Sequence, residues 1–519
     1  MTKYLLNRLI RGIISIIIVV TIVMLLVYVC LDRELIFAKD AVWSKQRGNA
    51  KVVYEMQKWE EYGYLDYVSY SDYLEELLRD GEITQEKYDK AIKLGTKANL
   101  DSPETREYVA KFKRKYEDKG YTFKRLDYSK SEGTQRVFVY RDIPTFSRLL
   151  SYLGGLFDVD NIHYVKEDIK DRGIDFTWFD PAYGGDKFSP AIIGNGTKHK
   201  YLLYFDSNPP FIHQNLISIN LGKSYSINQG IDVFDTMTES QGNLAYSMVT
   251  YPTGAQEMSA DNIHSAVYIS GSYDGAAEDS IIKQHFTDNY TSITTHKDGM
   301  SKMGYSFVIG IISVIISYML AIPLGTAMAR RKDKLVDKLG TLYIVFIIAV
   351  PSLAYIFLFK AIGGSFGLPT TFDMVNPSWQ MYILPIVSLA LPSVAGLMKW
   401  LRRYMIDQMN SDYVKFARSG GLSEGEIFRK HILKNAMIPI VHGIPGSVLG
   451  ALVGAIITES VYVVPGAGKL LTNAISAYDN GVIVGMALFY ATLSVVSIII
   501  GDILMSLVDP RISFSSKAR

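Results

Sequence analysis

The strongest hint of chemistry in this sequence is Gly466-Ala467-Gly468-Lys469, inside the stretch VVPGAGKLL. Glycine-rich loops cradle phosphates when the pattern runs Gly, four residues, Gly-Lys, then Ser or Thr. Here Val463 and Leu470 occupy the first and last of those places, so the pattern fails. Nucleophile and metal chemistry fare no better. Cys30 is the one cysteine, which excludes an intrachain disulfide and a cysteine-based zinc site. The histidines show no HExxH or similar ligand spacing. Two carboxylates in apolar surroundings remain, Glu459 and Asp502. Nothing here is catalytic, and the chain carries no cofactor or metal site of its own.

The elements around those residues are membrane spans. Gly12–Leu31 holds no charged residue, and twenty residues at 1.5 Å each cross roughly 30 Å of hydrocarbon. A cleaved signal peptide would have an apolar core of about 7–15 residues and a small-residue cleavage site. Cys30-Leu31-Asp32-Arg33 offers no such site, so the segment reads as a retained anchor. Five further apolar runs follow: Met303–Ala329, Leu339–Phe359, Met374–Met398, Asn435–Thr458 and Asn480–Gly501. Each is long enough to span with some tilt. Their prolines would break soluble helices and are tolerated in membrane bundles. Lys3, Arg8 and Arg11 precede the first run. Arg330–Lys334, Lys399–Arg403 and the closing Arg511, Lys517 and Arg519 lie on alternate loops, all on that same side. The expectation is a polytopic α-helical protein of the plasma membrane with six spans and both termini cytoplasmic.

Residues 32–300 are different material, charged and tyrosine-rich, with no spanning run. Ser71–Arg79 and Pro103–Glu117 read as exposed helices, the second capped by Asp101 or Ser102. Arg136–Arg141, Lys200–Phe205 and Ala266–Ser270 read as strands. This predicts an α+β insert outside the cell between the first two spans, with a core of its own. Its many tyrosines suit an interface with another protein. Three parts are expected: 1–31, the insert 32–300, and a five-helix core 301–519. The net charge of +2 and the mean hydropathy of +0.11 fit this mixture and argue against nucleic acid.

Between the fourth and fifth spans lies Asp412–Asn435, DYVKFARSGGLSEGEIFRKHILKN. Asp412 can cap a short helix carrying Tyr413, Phe416 and Ala417, and Gly420-Gly421 stops it. After Leu422, Ser423 opens a second helix with Glu426 at the capping-box spacing. The bland reading is an ordinary helical loop with a solvated charged face. The segment resembles the coupling (EAA) loop of ABC importer permeases, in the form used by the oligopeptide/dipeptide/nickel branch. Ala417 and Gly421 match that family's alanine and glycine, while Lys415 and Phe416 replace its usual Glu-Ala start and Pro439 comes later. The closing Asp509-Pro510-Arg511 and the Pro210–Tyr225 segment are similar to the same branch. The large insert resembles the Ami-type oligopeptide permeases of streptococci.

The resemblance implies a type I ABC importer permease-like fold and uptake of oligopeptides. It implies a homologous second permease subunit, two cytoplasmic ATPase subunits holding ATP and magnesium, and an extracytoplasmic peptide-binding lipoprotein. It also implies that Asp412–Asn435 couples to the ATPase. Glu459, Pro465, Gly466 and Gly468 match the branch's outer loop, which folds back as part of an outer gate; a tight turn plus a short helix is the plainer reading. Asp502 is expected to pair with a basic residue of the neighbouring cytoplasmic loops. Importers of nickel, heme or a signalling peptide share these features. A membrane-anchored receptor would need one span and would leave Asp412–Asn435 unexplained.

Overall fold

The computed structural model describes residues 2–96, 103–126, 137–166, 168–206, 211–268, 285, 291–374 and 376–508. Asp509-Pro510-Arg511, the basic C-terminus, the Asp101/Ser102 cap, Pro210 and the ends of two expected strands at Arg136 and Ser270 lie outside them. Among the described residues, four straight helices are long and apolar enough to cross a membrane: Tyr4–Cys30, Lys302–Arg330, Trp379–Met409 and Asn480–Val508. Two bent pairs pass the same test together, giving up to six. The structure is an integral membrane protein in composition and architecture.

The bends have local causes. Leu335–Ala349 and Ser352–Ser365 meet at 110°, so the run expected over Leu339–Phe359 is not one straight helix. Pro351 lacks an N–H and forces Val350 into an extended conformation, which ends the first helix. The fifth run bends by 44° near Gly443, between Pro439 and Pro445. The fourth helix, Ile383–Met409, starts later than the expected run and continues past Lys399, Arg402 and Arg403. Helices Lys302–Arg330 and Ile383–Met409 are joined by serines: Ser313 donates to the Ile386 carbonyl at 3.2 Å and Ser317 to that of Ala390 at 3.1 Å. The first helix packs along the last, where Gly12 leaves room for Val495.

The segment after the first helix holds a three-stranded sheet, a four-stranded sheet and three two-stranded ribbons among the described residues. Leu65–Ser69, Val137–Asp142 and Thr122–Arg125 form an antiparallel sheet with Val137–Asp142 in the middle. Helix Tyr70–Arg79 starts on it through a Ser69–Asp72 capping box. Here Tyr62, Tyr64, Tyr67, Tyr70 and Tyr73 are buried in the core. These five tyrosines hold the fold, while Tyr164 and Tyr246 are exposed. A second sheet runs Gly173–Thr177, Ala191–Asn195, Tyr201–Phe205, Ile212–Gln214, each strand antiparallel to the next. Tyr201, Val249, Tyr251 and Ile263 fill its core, and His264 bonds Asp180 at 2.7 Å beside them. A long strand, Asp261–Tyr268, pairs with Thr291–Thr295 where a shorter one was expected.

Residues 32–300 meet the helices at several places, and Asp479 is a polar one. The Asp479 carboxylate, fully buried, accepts from the Ser224 hydroxyl at 2.6 Å and from the Tyr225, Ser226 and Ile227 amides at 2.8, 3.0 and 3.0 Å. The same carboxylate accepts from Val482 at 3.2 Å in the first turn of Asn480–Val508. Tyr225 stacks on Tyr62 at 4.0 Å, and its hydroxyl meets that of Tyr28 at 3.1 Å.

Candidate functional site

Asp412–Asn435 sits on the helices through a buried apolar underside. Val414 and Ile427 are fully buried, and Ile432 and Ala436 nearly so. All four pack with Ala329, Leu401 and Met405 from the second and fourth long helices. The upper surface is polar. Helix Asp412–Ser419 begins one residue earlier than expected, with Ser411 in the cap position, and Asp412 instead pairs with Lys415 at 2.8 Å. That ammonium holds the Asp412 carboxyl below the usual range. Gly420 closes the helix and Gly421 takes φ +80°, a conformation that costs a side chain about 1–2 kcal/mol. Across the turn Arg418 grips Glu424 with two bonds, at 2.5 and 3.1 Å. Leu422 follows, then Ser423 and Glu426 form the capping box in both directions. Ala417 is half-buried against the underside, whereas Phe416 is 77% exposed. The sequence placed Phe416 on this helix without assigning it that position.

The second helix of this segment does not stop at the membrane. Ile427–Leu433 is a wider π-helical stretch, followed by Lys434–His442 and then Ile444–Tyr462. One helical run therefore leads from the glycine turn to the outer loop. π-helical turns and a glycine bend are the places where such a run yields.

At the far end of that run the Glu459 side chain is buried at 1% exposure. Its carboxylate accepts from the Ser306 hydroxyl and from the Lys469 amide, the latter at 3.0 Å. Ser306 in turn accepts from the Ala467 amide at 2.8 Å. Val463 turns the chain with φ 59°; a Cβ at Gly466 would collide with the carboxylate, and one at Gly468 would collide with Ile456 and press on the carboxylate. Glu459, Gly466 and Gly468 are thus brought into one contact, with Pro465 between, at the start of the short helix Ala467–Ser476. The negative side chain at a helix N-terminus is electrostatically favoured. The lysine of the apparent phosphate loop serves this carboxylate through its backbone.

Asp502 is also partnered, though not as expected. Arg8 at the start of the first helix bonds it at 2.8 Å and Tyr4 at 3.1 Å, so its base comes from the N-terminal segment and not from a neighbouring loop. Arg402, carried on the helix Ile383–Met409, binds Asp337 bidentately at 2.5 and 2.7 Å.

Sequence reasoning missed Asp479, since one aspartate in a short loop carries no pattern. It also gave no transport route. A cavity of about 530 Å³ opens among the long helices, lined by Ser317, Tyr318, Ser388, Pro392, Trp400 and Ser447 with others. Gly446 and Gly450 face open space on that side of the fifth run, so they do not serve helix contact within this chain.

Residues 321–514 match the family described as binding-protein-dependent transport system inner membrane component. The oligopeptide transport system permease protein AmiC of Streptococcus pneumoniae is 34% identical over 100% of this chain and 99% of its own length. The dipeptide transport system permease protein DppB of Lactococcus lactis is 32% identical over 41% of this chain and 69% of its own length. The oligopeptide transport system permease protein AppB of Bacillus subtilis is 30% identical over 41% and 71%. A solved amino acid ABC transporter covers 41% of this chain and 92% of its own at 19% identity and TM-score 0.32, too slight a likeness to bear on the fold. With a relative matched from end to end and a helical core matched to the family, the chain belongs to the binding-protein-dependent transport system inner membrane components, the permeases of ABC importers.

Proposed function

We propose that this chain is a permease subunit of an ATP-driven importer of oligopeptides. The observation that carries the reading is the full-length identity to AmiC, because it includes residues 32–300, which the shorter relatives' coverage cannot reach. The partners are a second, homologous permease, two cytoplasmic ATPases that hold ATP and magnesium, and an extracytoplasmic peptide-binding lipoprotein. Both termini and Asp412–Asn435 face the cytoplasm, supported by the alternation of basic loops. The outer α+β part, residues 32–300, lies outside and meets the binding protein.

Work is transmitted along one path. The ATPase groove receives the surface around Phe416 and the Gly420-Gly421 turn. Closure of the ATPases pushes the buried underside against Leu401 and Met405, and the run from Ile427 to Tyr462 carries the push outward. The loop held on Glu459 then alternates between closed and open over the cavity beside Tyr318 and Trp400, along which the peptide passes. ATP moves this equilibrium only through its different affinity for the two states of the ATPases.

The test is uptake of a labelled oligopeptide by cells lacking the gene and complemented with this chain, with nickel, heme and a free amino acid as competitors. Energy-dependent peptide uptake, blocked by unlabelled peptide alone, is the expected result. Competition by nickel or heme, or no uptake with all partners present, would overturn the substrate assignment.

A further inference from the structure

Thr145–Gly154 belongs by sequence to the outer part, yet its position relative to the first and last helices places it lower. Leu149 packs with Val20 and Met24 of the first helix and Val484 of the last. Met24 and Val20 come six and ten residues before Cys30, roughly 9 and 15 Å below the helix end at 1.5 Å per residue. Val484 lies four residues into Asn480–Val508, roughly 6 Å below its outer end by the same rise. With the uncharged Gly12–Leu31 as the span of roughly 30 Å, this contact falls below the headgroups, in the outer half of the hydrocarbon.

The pattern around Thr145–Gly154 fits that depth. At 3.6 residues per turn, Tyr152, Leu149, Leu153, Phe146 and Leu150 follow one another around a single apolar arc. Only one half of the arc is covered. Leu149, Tyr152 and Leu153 face the two long helices, while Phe146 and Leu150 are 69% and 55% exposed. Ser147, Arg148 and Ser151 form the opposite, polar side. The Arg148 guanidinium stacks on Tyr28 and Tyr64, at 3.8 and 3.9 Å from their ring centres, fixing the helix's rotation. The ribbon that follows exposes four more apolar side chains on one face, Phe157 opposite Ile219 and Val159 opposite Ile217. On the first helix Ile17 and Ile22 are likewise exposed.

We propose that Thr145–Gly154 lies in the outer leaflet of the bilayer and holds lipid acyl chains against Phe146 and Leu150. An amphipathic helix of this kind buries its apolar face about 5–10 Å into the headgroup–acyl boundary. The proposal rests on the first helix being a span, which the same experiment checks separately. The outer part is then seated on the membrane surface as well as on Asp479, which restrains its tilt.

The test uses the assembled transporter in nanodiscs of phosphatidylethanolamine and phosphatidylglycerol. In a Cys30→Ser background, nitroxide labels are placed singly by Phe146→Cys, Leu150→Cys, Ser147→Cys and Ile17→Cys. Relaxation by oxygen, which concentrates in lipid, is compared with relaxation by a water-soluble nickel chelate. Labels at 146 and 150 are expected to favour oxygen severalfold, with 147 favouring the chelate. Chelate access at 146 and 150 equal to that at 147 would overturn the proposal, as would shielding from both reagents, which means a protein partner covers the flank. A label at 17 open to the chelate would instead overturn the span.

Discussion

Replacing Asp479 by alanine should loosen residues 224–227 from the start of the last helix. The carboxylate is fully buried and satisfies three consecutive backbone amides, the Ser224 hydroxyl and the first turn of the last helix. A buried donor left without a partner costs roughly 1–3 kcal/mol. Three amides at the lower end of that range, with a lost N-cap worth roughly 1 kcal/mol, sum to about 4 kcal/mol. Asp479→Asn keeps the volume and one accepting oxygen, and should cost about half as much, about 2 kcal/mol. The assay is hydrogen exchange of Tyr225, Ser226 and Ile227 in the assembled complex. A change of about 4 kcal/mol corresponds to a roughly 10³-fold fall in protection for Asp479→Ala. Asn should fall between alanine and wild type. Protection at 225–227 unchanged in both variants, with normal assembly, would refute the reasoning.

Other perturbations follow from the same geometry. Gly421→Val should leave ATP hydrolysis but strongly reduce uptake, because φ +80° costs a branched side chain at least 1–2 kcal/mol and tilts the turn; equal uptake at equal assembly would contradict it. Gly468→Ala should also abolish uptake, since its Cβ would stand 2.7 Å from the Ile456 Cα and 3.0 Å from a Glu459 oxygen; transport rates and a cysteine crosslink across the loop check this. Arg402→Ala should destabilise the chain by roughly 3 kcal/mol by stranding the buried Asp337 carboxylate, and replacing both by leucine should restore most of the loss in thermal unfolding. In the outer part, burial opposes the charge on Asp40. The amides of Trp43 and Val42, the Tyr54 hydroxyl and the Gln229 amide outweigh it and hold the carboxyl below its usual range. A depressed carboxyl stabilises the fold above the ordinary range near pH 4 and loses that contribution as pH falls through its lower folded value. Exchange at Val42 and Trp43 should therefore rise on acidification in wild type and change less in Asp40→Asn.

How much of this was legible beforehand depends on whether a pattern is local. The glycine turn at 420–421 and the Ser423–Glu426 box were readable, because caps and positive-φ positions are decided within four residues. The apolar runs were readable by length, but not the 110° break at Pro351, since membrane helices tolerate many prolines and only packing decides which one ends a helix. Asp502's partner was misjudged because Arg8 is distant in sequence and adjacent only once the first and last helices pair. Asp479 was invisible for the same reason: its five donors come from two segments more than 250 residues apart in part. The burial of Tyr62, Tyr64, Tyr67, Tyr70 and Tyr73 was not legible, because such rings suit a core as well as a surface and only the packed sheet shows which.

The most direct measurement is ATP hydrolysis by the complex that co-purifies with this chain, in nanodiscs, with and without peptide-loaded binding protein. The account predicts co-purifying ATPases whose turnover rises severalfold with loaded binding protein, and a Phe416→Ala variant that loses them. A chain that purifies without any ATPase, or with ATPases indifferent to the loaded binding protein, would contradict it.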